Sequence, residues 1–312
     1  MYVLNDYARM IADEARTNAY AAALEAVVRP NDVVVDIGTG TGFLAVLACR
    51  LGAGRVYAIE TNDVIGLGPE LAAKNGCADR IVFMREDAMK ATLPERARIV
   101  VADLRGALPV ANDAIGILER ARAEFLTPGG VLIPAKDTLR VAVVSSPSVY
   151  VAALGLERSA GVDLSVMREH LANNVFKDPK RAIGPDALVT DAATWATLDY
   201  ATAREEPIAG RASWTMTRAA AGHGVVVWFD TTLYGDSGYS SAPGLASVYS
   251  QVFLPWSRVV DLAAADRVEI ELRVQPQGHP WSWSTVITQP TSTVRMRQTS
   301  FLGATWRPEP RG

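Results

Sequence analysis

The chain has 312 residues, 49% apolar and 21% charged, enough for two compact domains of ordinary globular composition. A net charge of -3 supplies no general field for a polyanion, so nothing in the composition supports nucleic-acid binding. The start of the chain has no charged segment leading into an apolar run, and no stretch reaches the roughly 18 apolar residues of a membrane span. Two cysteines, Cys49 and Cys77, do not make a disulfide framework, and no metal-ligand spacing occurs. The expectation is a cytoplasmic enzyme with no metal, no nucleic-acid partner and no membrane partner.

In chain order, residues 6–28 read as one helix, rich in Ala, Leu, Met, Arg and Glu and ended by Pro30-Asn31. The β-branched run 33–38 reads as a buried parallel strand, and the apolar stretch after it as a helix stopped by glycine. Strands follow at 55–60, 81–85 and 97–102, with helices at 65–75 and 112–125, then a fifth strand after Gly129-Gly130. Strands alternating with helices predict right-handed βαβ units and a parallel sheet. Beyond Pro134 the pattern changes to successive alternating strand-like segments, as in an antiparallel barrel or sandwich. Residues 149–180 interrupt it with a helical piece, 163–174, and a polar stretch. The predicted division is therefore 1–134, an α/β nucleotide-binding domain, and 135–312, a β domain.

The sharpest local signal is the segment Asp36-Ile37-Gly38-Thr39-Gly40-Thr41-Gly42, placed between a strand and a helix. Glycines let backbone approach a ligand, and the helix start adds N–H groups and a positive dipole end. A dinucleotide enzyme would show GxGxxG over a pyrophosphate; the spacing here is GxGxG with an acid two residues ahead, which makes a nicotinamide dehydrogenase the weaker reading. S-adenosylmethionine has no phosphate; Asp36 suits its ammonium group, and the glycines suit its methionine chain and ribose. Glu60, ending the second strand, suits the two ribose hydroxyls, and Asp87, past the third strand, suits the adenine amino group. Taken singly, Glu60 and Asp87 also read as solvated loop acids. Acids at three successive strand ends point to S-adenosylmethionine as cofactor.

On four passages the chain resembles the protein arginine methyltransferase family: residues 13–17 (DEART), 36–60 with the glycine loop, 126–144 leading into the barrel, and 238–253. The resemblance implies a Rossmann-like class I methyltransferase domain, then a β-barrel domain whose insertion at about 149–180 is a helical dimerisation arm, giving a homodimer. It places a cofactor-carboxylate ligand on Arg16, whose competing reading is a solvated helical arginine, and a residue packing over the reacting centre on Tyr7, for which core packing reads equally well. The family carries two glutamates after the fourth strand that orient the substrate guanidinium. Aligned on Gly106, these positions hold Asp103 and Asn112, with Arg105 close by and Asp113 one place off. The family's Thr-His-Trp barrel motif falls on Ala246-Ser247-Val248, so its histidine and tryptophan are absent.

A guanidinium is permanently charged, and burying it needs paired carboxylates. With one clear carboxylate left, the expected acceptor is a small neutral or weakly basic molecule: an amine, a hydroxyl or an aromatic carbon such as indole. A protein or peptide arginine is the alternative, and a non-catalytic S-adenosylmethionine-binding scaffold a third reading. Methyl transfer from a sulfonium is an in-line displacement that depends mainly on orientation. Asp103 is the candidate to orient or deprotonate the acceptor, with a turn or cap aspartate as the competing reading. His279 reads as structural ahead of a base, and Trp281 and Trp283, alternating on one strand face, as barrel core ahead of a stacking wall for the acceptor.

Overall fold

The computed structural model describes residues 2–110, 113–178, 182–276 and 278–300. The chain divides into two compact units. The first runs from residue 1 to Asp137 and takes in two returning segments, Leu198–Glu205 and Asp230–Ser240; the second comprises the rest.

In the first unit the helix expected over 6–28 is two helices, α1 (Leu4–Ala12) and α2 (Glu14–Val27). The break has a local cause. Asp13 leaves helical geometry at φ -71°, ψ 96°, and its carboxylate accepts from the Arg16 N–H at 3.1 Å, capping α2 and interrupting the single periodic run. The strands β1 (Val33–Ile37), β2 (Arg55–Glu60), β3 (Ile81–Arg85), β4 (Ala97–Ala102) and β5 (Leu126–Ile133) form one parallel sheet in the order β3-β2-β1-β4-β5. Val34, Val35 and Ile37 of β1 and Ile99, Val100 and Val101 of β4 are buried, which explains their continuous apolar runs. Helix α3 (Phe43–Arg50) follows the glycine loop, α4 (Gly68–Lys74) a 3-10 turn at Asp63–Leu67, and α5 (Ala114–Arg120) runs into a π-helical turn at Ala121–Phe125. The chain proceeds from β1 outward to β3, then crosses to the other side of β1 for β4. This reversal makes a crevice at the carboxyl ends of β1 and β4, the place where open α/β sheets bind ligands.

Past β5 the chain continues in antiparallel strands. β6 (Lys136–Val144), β9 (Ala193–Asp199), β11 (Ala220–Tyr234) and β12 (Ser237–Ser240) are ordered β12-β11-β6-β9, with β13 (Val252–Leu262) also paired to β11. β10 (Ile208–Thr215), β14 (Arg267–Val274), β15 (Trp281–Thr288) and β16 (Thr293–Thr299) form a second sheet in that order. These are the antiparallel strands expected beyond Pro134, but Asp230–Tyr234 of β11 and all of β12 belong to the first unit rather than the second. Trp281 and Trp283 are buried on one face of β15, and Trp281 meets Trp195 with ring centroids 5.9 Å apart. The insertion carries more structure than its sequence announces. Within it α6 (Pro147–Leu154) precedes a short hairpin of β7 (Arg158–Ser159) and β8 (Val162–Asp163), and only Met167–Ala172 of the expected 163–174 piece is helical, as α7. Val149, Tyr150, Ala153 and Leu154 of α6 pack with Ala172, Trp228 and Phe253 in one apolar cluster.

Candidate cofactor and methyl-transfer site

Four strand ends of the parallel sheet supply the site. After β1 the chain turns sharply, with the Gly38 and Thr39 N–H groups donating to the Ile59 carbonyl at 2.8 and 3.1 Å. Gly40 and Gly42 have φ of +57° and +88°, a region L side chains avoid, and Gly42 starts α3 from that conformation. The loop is also closely covered. A methyl group added at Gly38 would lie 2.6 Å from the Leu104 side chain, and one at Gly40 would lie 2.6 Å from the Tyr7 ring. Tyr7, on α1, thus lies on the glycine loop; its hydroxyl is pushed up to about 12, by burial first and by the charge of Glu60 second.

Asp36 is fully buried at the end of β1. Its Oδ2 accepts from the Thr39 hydroxyl at 2.5 Å, while Oδ1 is buried without a hydrogen-bond partner. Burial pushes this carboxyl up to about 7, against hydrogen bonds from the Thr39 hydroxyl and the Ala45 backbone. Glu60 ends β2 and turns back on the loop: Oε2 accepts from the Gly40 N–H at 3.1 Å and Oε1 from the Asn62 N–H at 2.8 Å. Asp87 follows β3, and its Oδ1 accepts from the Met89 N–H at 2.9 Å while its carbonyl accepts from Lys90 and Ala91, the contacts of a turn aspartate.

Beside β4 the structure replaces isolated residues with a network. Arg16 is not a solvated helix arginine: it is 6% exposed, and its Nε donates to Asp103 Oδ2 at 2.6 Å. Nor is Asp103 a cap aspartate, because its Oδ1 accepts from Arg105 Nη1 at 3.0 Å. Arg105 is itself buried. Its Nε donates to Asp137 Oδ2 at 2.9 Å, Nη1 to the Tyr20 and Tyr239 hydroxyls at 2.7 and 3.2 Å, and Nη2 to the Thr231 hydroxyl at 2.9 Å. Tyr200 donates to Asp137 at 2.6 Å, and Tyr20 to the Ala102 carbonyl at 2.9 Å. Burial works against the Arg105 charge, but Asp137 and its neighbours hold it protonated far beyond the ordinary range. Asn112 lies outside the described residues.

Sequence reading missed Asp137, Tyr20, Tyr200, Thr231 and Tyr239. A signal for Asp137 existed. It alternates in phase with Leu139, Val141 and Val143 along β6, so period two places it on their buried face. A carboxylate there demands a buried cation, and Arg105 is that cation.

The donor set fits S-adenosylmethionine: an unpartnered buried carboxylate oxygen at Asp36, a glycine loop held by β2, a ribose-suited carboxylate at Glu60 and a buried arginine at Arg16. Among the described residues no group of three or more His, Cys, Asp or Glu side chains could hold a metal ion, and no helix is long and apolar enough to cross a membrane. Parallel order 3-2-1-4-5, a glycine loop after β1 and antiparallel sheets beyond define a Rossmann-like class I methyltransferase domain followed by a barrel domain.

Comparison with known proteins narrows this class. Residues 15–134 match the family model of ribosomal protein L11 methyltransferase, PrmA. The chain is 27% identical over 242 residues to the probable protein arginine N-methyltransferase 6 of Arabidopsis thaliana, covering 75% of this chain and 55% of that protein. It is 30% identical over 256 residues to the probable histone-arginine methyltransferase CARM1 of Oryza sativa subsp. indica, covering 75% of this chain and 47% of that protein. The chain thus spans about half the length of these two curated relatives. Among solved structures, the Trypanosoma brucei PRMT1 enzyme-prozyme complex superposes with a TM-score of 0.85 at 19% identity, covering 94% of this chain and 96% of the other. Arabidopsis thaliana protein arginine methyltransferase 10 gives 0.79 at 17% identity, covering 96% and 98%. The chain is protein-arginine-methyltransferase-like in sequence and in fold.

Proposed function

We propose that the chain is an S-adenosylmethionine-dependent methyltransferase acting on arginine side chains of a protein or peptide. The cofactor reading rests above all on Asp36, whose buried, unpartnered Oδ1 sits at the head of the glycine loop and awaits a donor. Bound there, S-adenosylmethionine supplies an electrophilic methyl on a sulfonium. Asp36 and Arg16 suit its ammonium and carboxylate, Glu60 its ribose hydroxyls, and Asp87 or its adjacent backbone its adenine. Tyr7 covers the loop and excludes water, and Asp103 orients the acceptor. The arginine acceptor is supported by the names of the relatives.

One observation favours a second reading. Both oxygens of Asp103 already accept from internal guanidinium groups, so a third guanidinium meets little attraction. A small neutral or weakly basic acceptor fits that environment. Transfer assays with arginine-rich peptides, free arginine and small aromatic amines and indoles decide between them. Methylarginine formation is the expected product; turnover of small acceptors with none on peptides would overturn the arginine reading. The arm exposes Val151, Leu156, Val162 and Val166, and these apolar side chains support a homodimer formed through it.

Proton release tests the role of Asp36. In the unliganded chain its carboxyl, near 7, is mostly protonated at pH 6 and mostly ionised at pH 8. A bound ammonium favours the carboxylate, so association releases most of a proton at pH 6, about half at pH 7 and almost none at pH 8. Calorimetry in buffers of different ionisation heat reads this directly, and Asp36→Asn removes it. Heats that do not depend on the buffer at pH 6 would contradict the assignment.

A further inference from the structure

We infer that Arg105 tunes acceptor affinity: it is a built-in cation that occupies one oxygen of Asp103 and weakens the binding of a cationic acceptor such as arginine. The inference rests on the proposed reading that Asp103 faces the acceptor. Asp103 directly follows β4, and its neighbour Leu104 lies against Gly38, which puts this stretch of backbone beside the glycine loop; the Asp103 side chain itself is 6% exposed. Arg16 comes to Asp103 Oδ2 from α2 and Arg105 to Oδ1 from two residues along the chain. The two contacts differ in how firmly they are anchored. Arg105 is 2% exposed and fixed at Nε by Asp137, which is itself held by Tyr200. Nη1 meets Tyr20 and Tyr239, and Nη2 meets Thr231. Partners drawn from α2, β6, β11 and β12 surround this one guanidinium. A side chain held this way does not swing aside for a substrate.

Charge determines the consequence. Among the described residues, Arg16 and Arg105 pair with Asp103 and Asp137, two of each sign, so Asp103 offers an incoming cation a charge that is already compensated. A guanidinium approaching Asp103 would compete with Arg105 for one oxygen and be repelled by it. A neutral acceptor escapes that repulsion and still finds a carboxylate of fixed orientation. Arg105 thus acts through Asp103 as a positioning residue.

The test replaces the cation with an apolar side chain of similar length. Arg105→Met alone strands the Asp137 charge, so Arg105→Met/Asp137→Asn is made in parallel; the amide carbonyl of the second substitution keeps an acceptor for Tyr200. Arg105→Lys retains the charge. Each variant is measured for S-adenosylhomocysteine affinity, for arginine-peptide affinity by fluorescence polarisation in the presence of S-adenosylhomocysteine, and for kcat and KM on peptide and on a neutral indole acceptor. The expected result is an arginine-peptide affinity about 10-fold or more tighter in the double variant. KM for the peptide falls correspondingly, indole kinetics do not improve, and Arg105→Lys, which keeps the charge but not the five-donor fork, falls between the parent chain and the double variant. Unchanged or weaker peptide binding with S-adenosylhomocysteine affinity intact would overturn the inference and leave the methyltransferase reading standing. Absence of S-adenosylhomocysteine binding in the parent chain would instead overturn that reading.

Discussion

Replacing Asp137 with alanine lowers the stability of the first unit by about 3–5 kcal/mol, the cost of leaving a buried guanidinium without its main counter-charge. Asp137 is completely buried, and its two oxygens take the Nε proton of Arg105 and the hydroxyl proton of Tyr200. Removing it leaves Arg105 with Asp103, which Arg16 also engages, and leaves the Tyr200 hydroxyl without that acceptor. The midpoint of thermal unfolding falls by about 6–20 °C for a unit of this size. Removing both charges is milder, because neither member of the pair is left as an isolated buried charge, although the bonds from Arg105 to Tyr20, Tyr239 and Thr231 are still lost. Calorimetric unfolding of Asp137→Ala beside Arg105→Met/Asp137→Asn therefore separates the pair's coupling from the cost of isolating one member. A fall of less than about 1 kcal/mol in Asp137→Ala would show that the network does not hold Arg105 as described.

Glu60→Ala weakens S-adenosylhomocysteine binding by about 100-fold or more. A carboxylate receiving two ribose hydroxyls makes two charge-assisted hydrogen bonds, each contributing about 1.5–3 kcal/mol. In the free chain the same carboxylate accepts from Gly40 and Asn62, so its loss also loosens the loop. Glu60→Gln keeps an acceptor but loses the charge, and falls between the parent chain and Glu60→Ala. Thermal stability changes little, because the loop is bound to β2 independently through the Ile59 carbonyl. Unaltered affinity in Glu60→Ala would remove Glu60 from the cofactor site.

Much of this was legible in the sequence because it rests on local chemistry. The run Val33–Ile37, the glycines at 38, 40 and 42 and the acids at 36 and 60 each carry their meaning within a few residues, and the parallel sheet with its switch point follows from strand–helix alternation. Helix boundaries were less legible. One capping aspartate at position 13 splits a run whose periodicity spans both helices, and residues 147–154, an apolar stretch after Ser145-Ser146, gave no clear period to mark α6. The polar network was the least visible part. Arg105 pairs with Asp137, 32 residues away, and with Thr231 and Tyr239, more than 100 residues away, and such separations leave no short motif. Only the buried phase of Asp137 in β6 hinted at it. Arg16 illustrates the same limit from the other side: its position in a helix suggests solvent, and only tertiary packing shows it buried on Asp103.

Titration calorimetry of the purified chain with S-adenosylhomocysteine tests the central claim most directly. One molecule bound per chain, with a heat that depends on the buffer near pH 6 and fades in Glu60→Ala, is the predicted outcome. Silence at millimolar ligand, from a sample whose unfolding transition is cooperative, would contradict it.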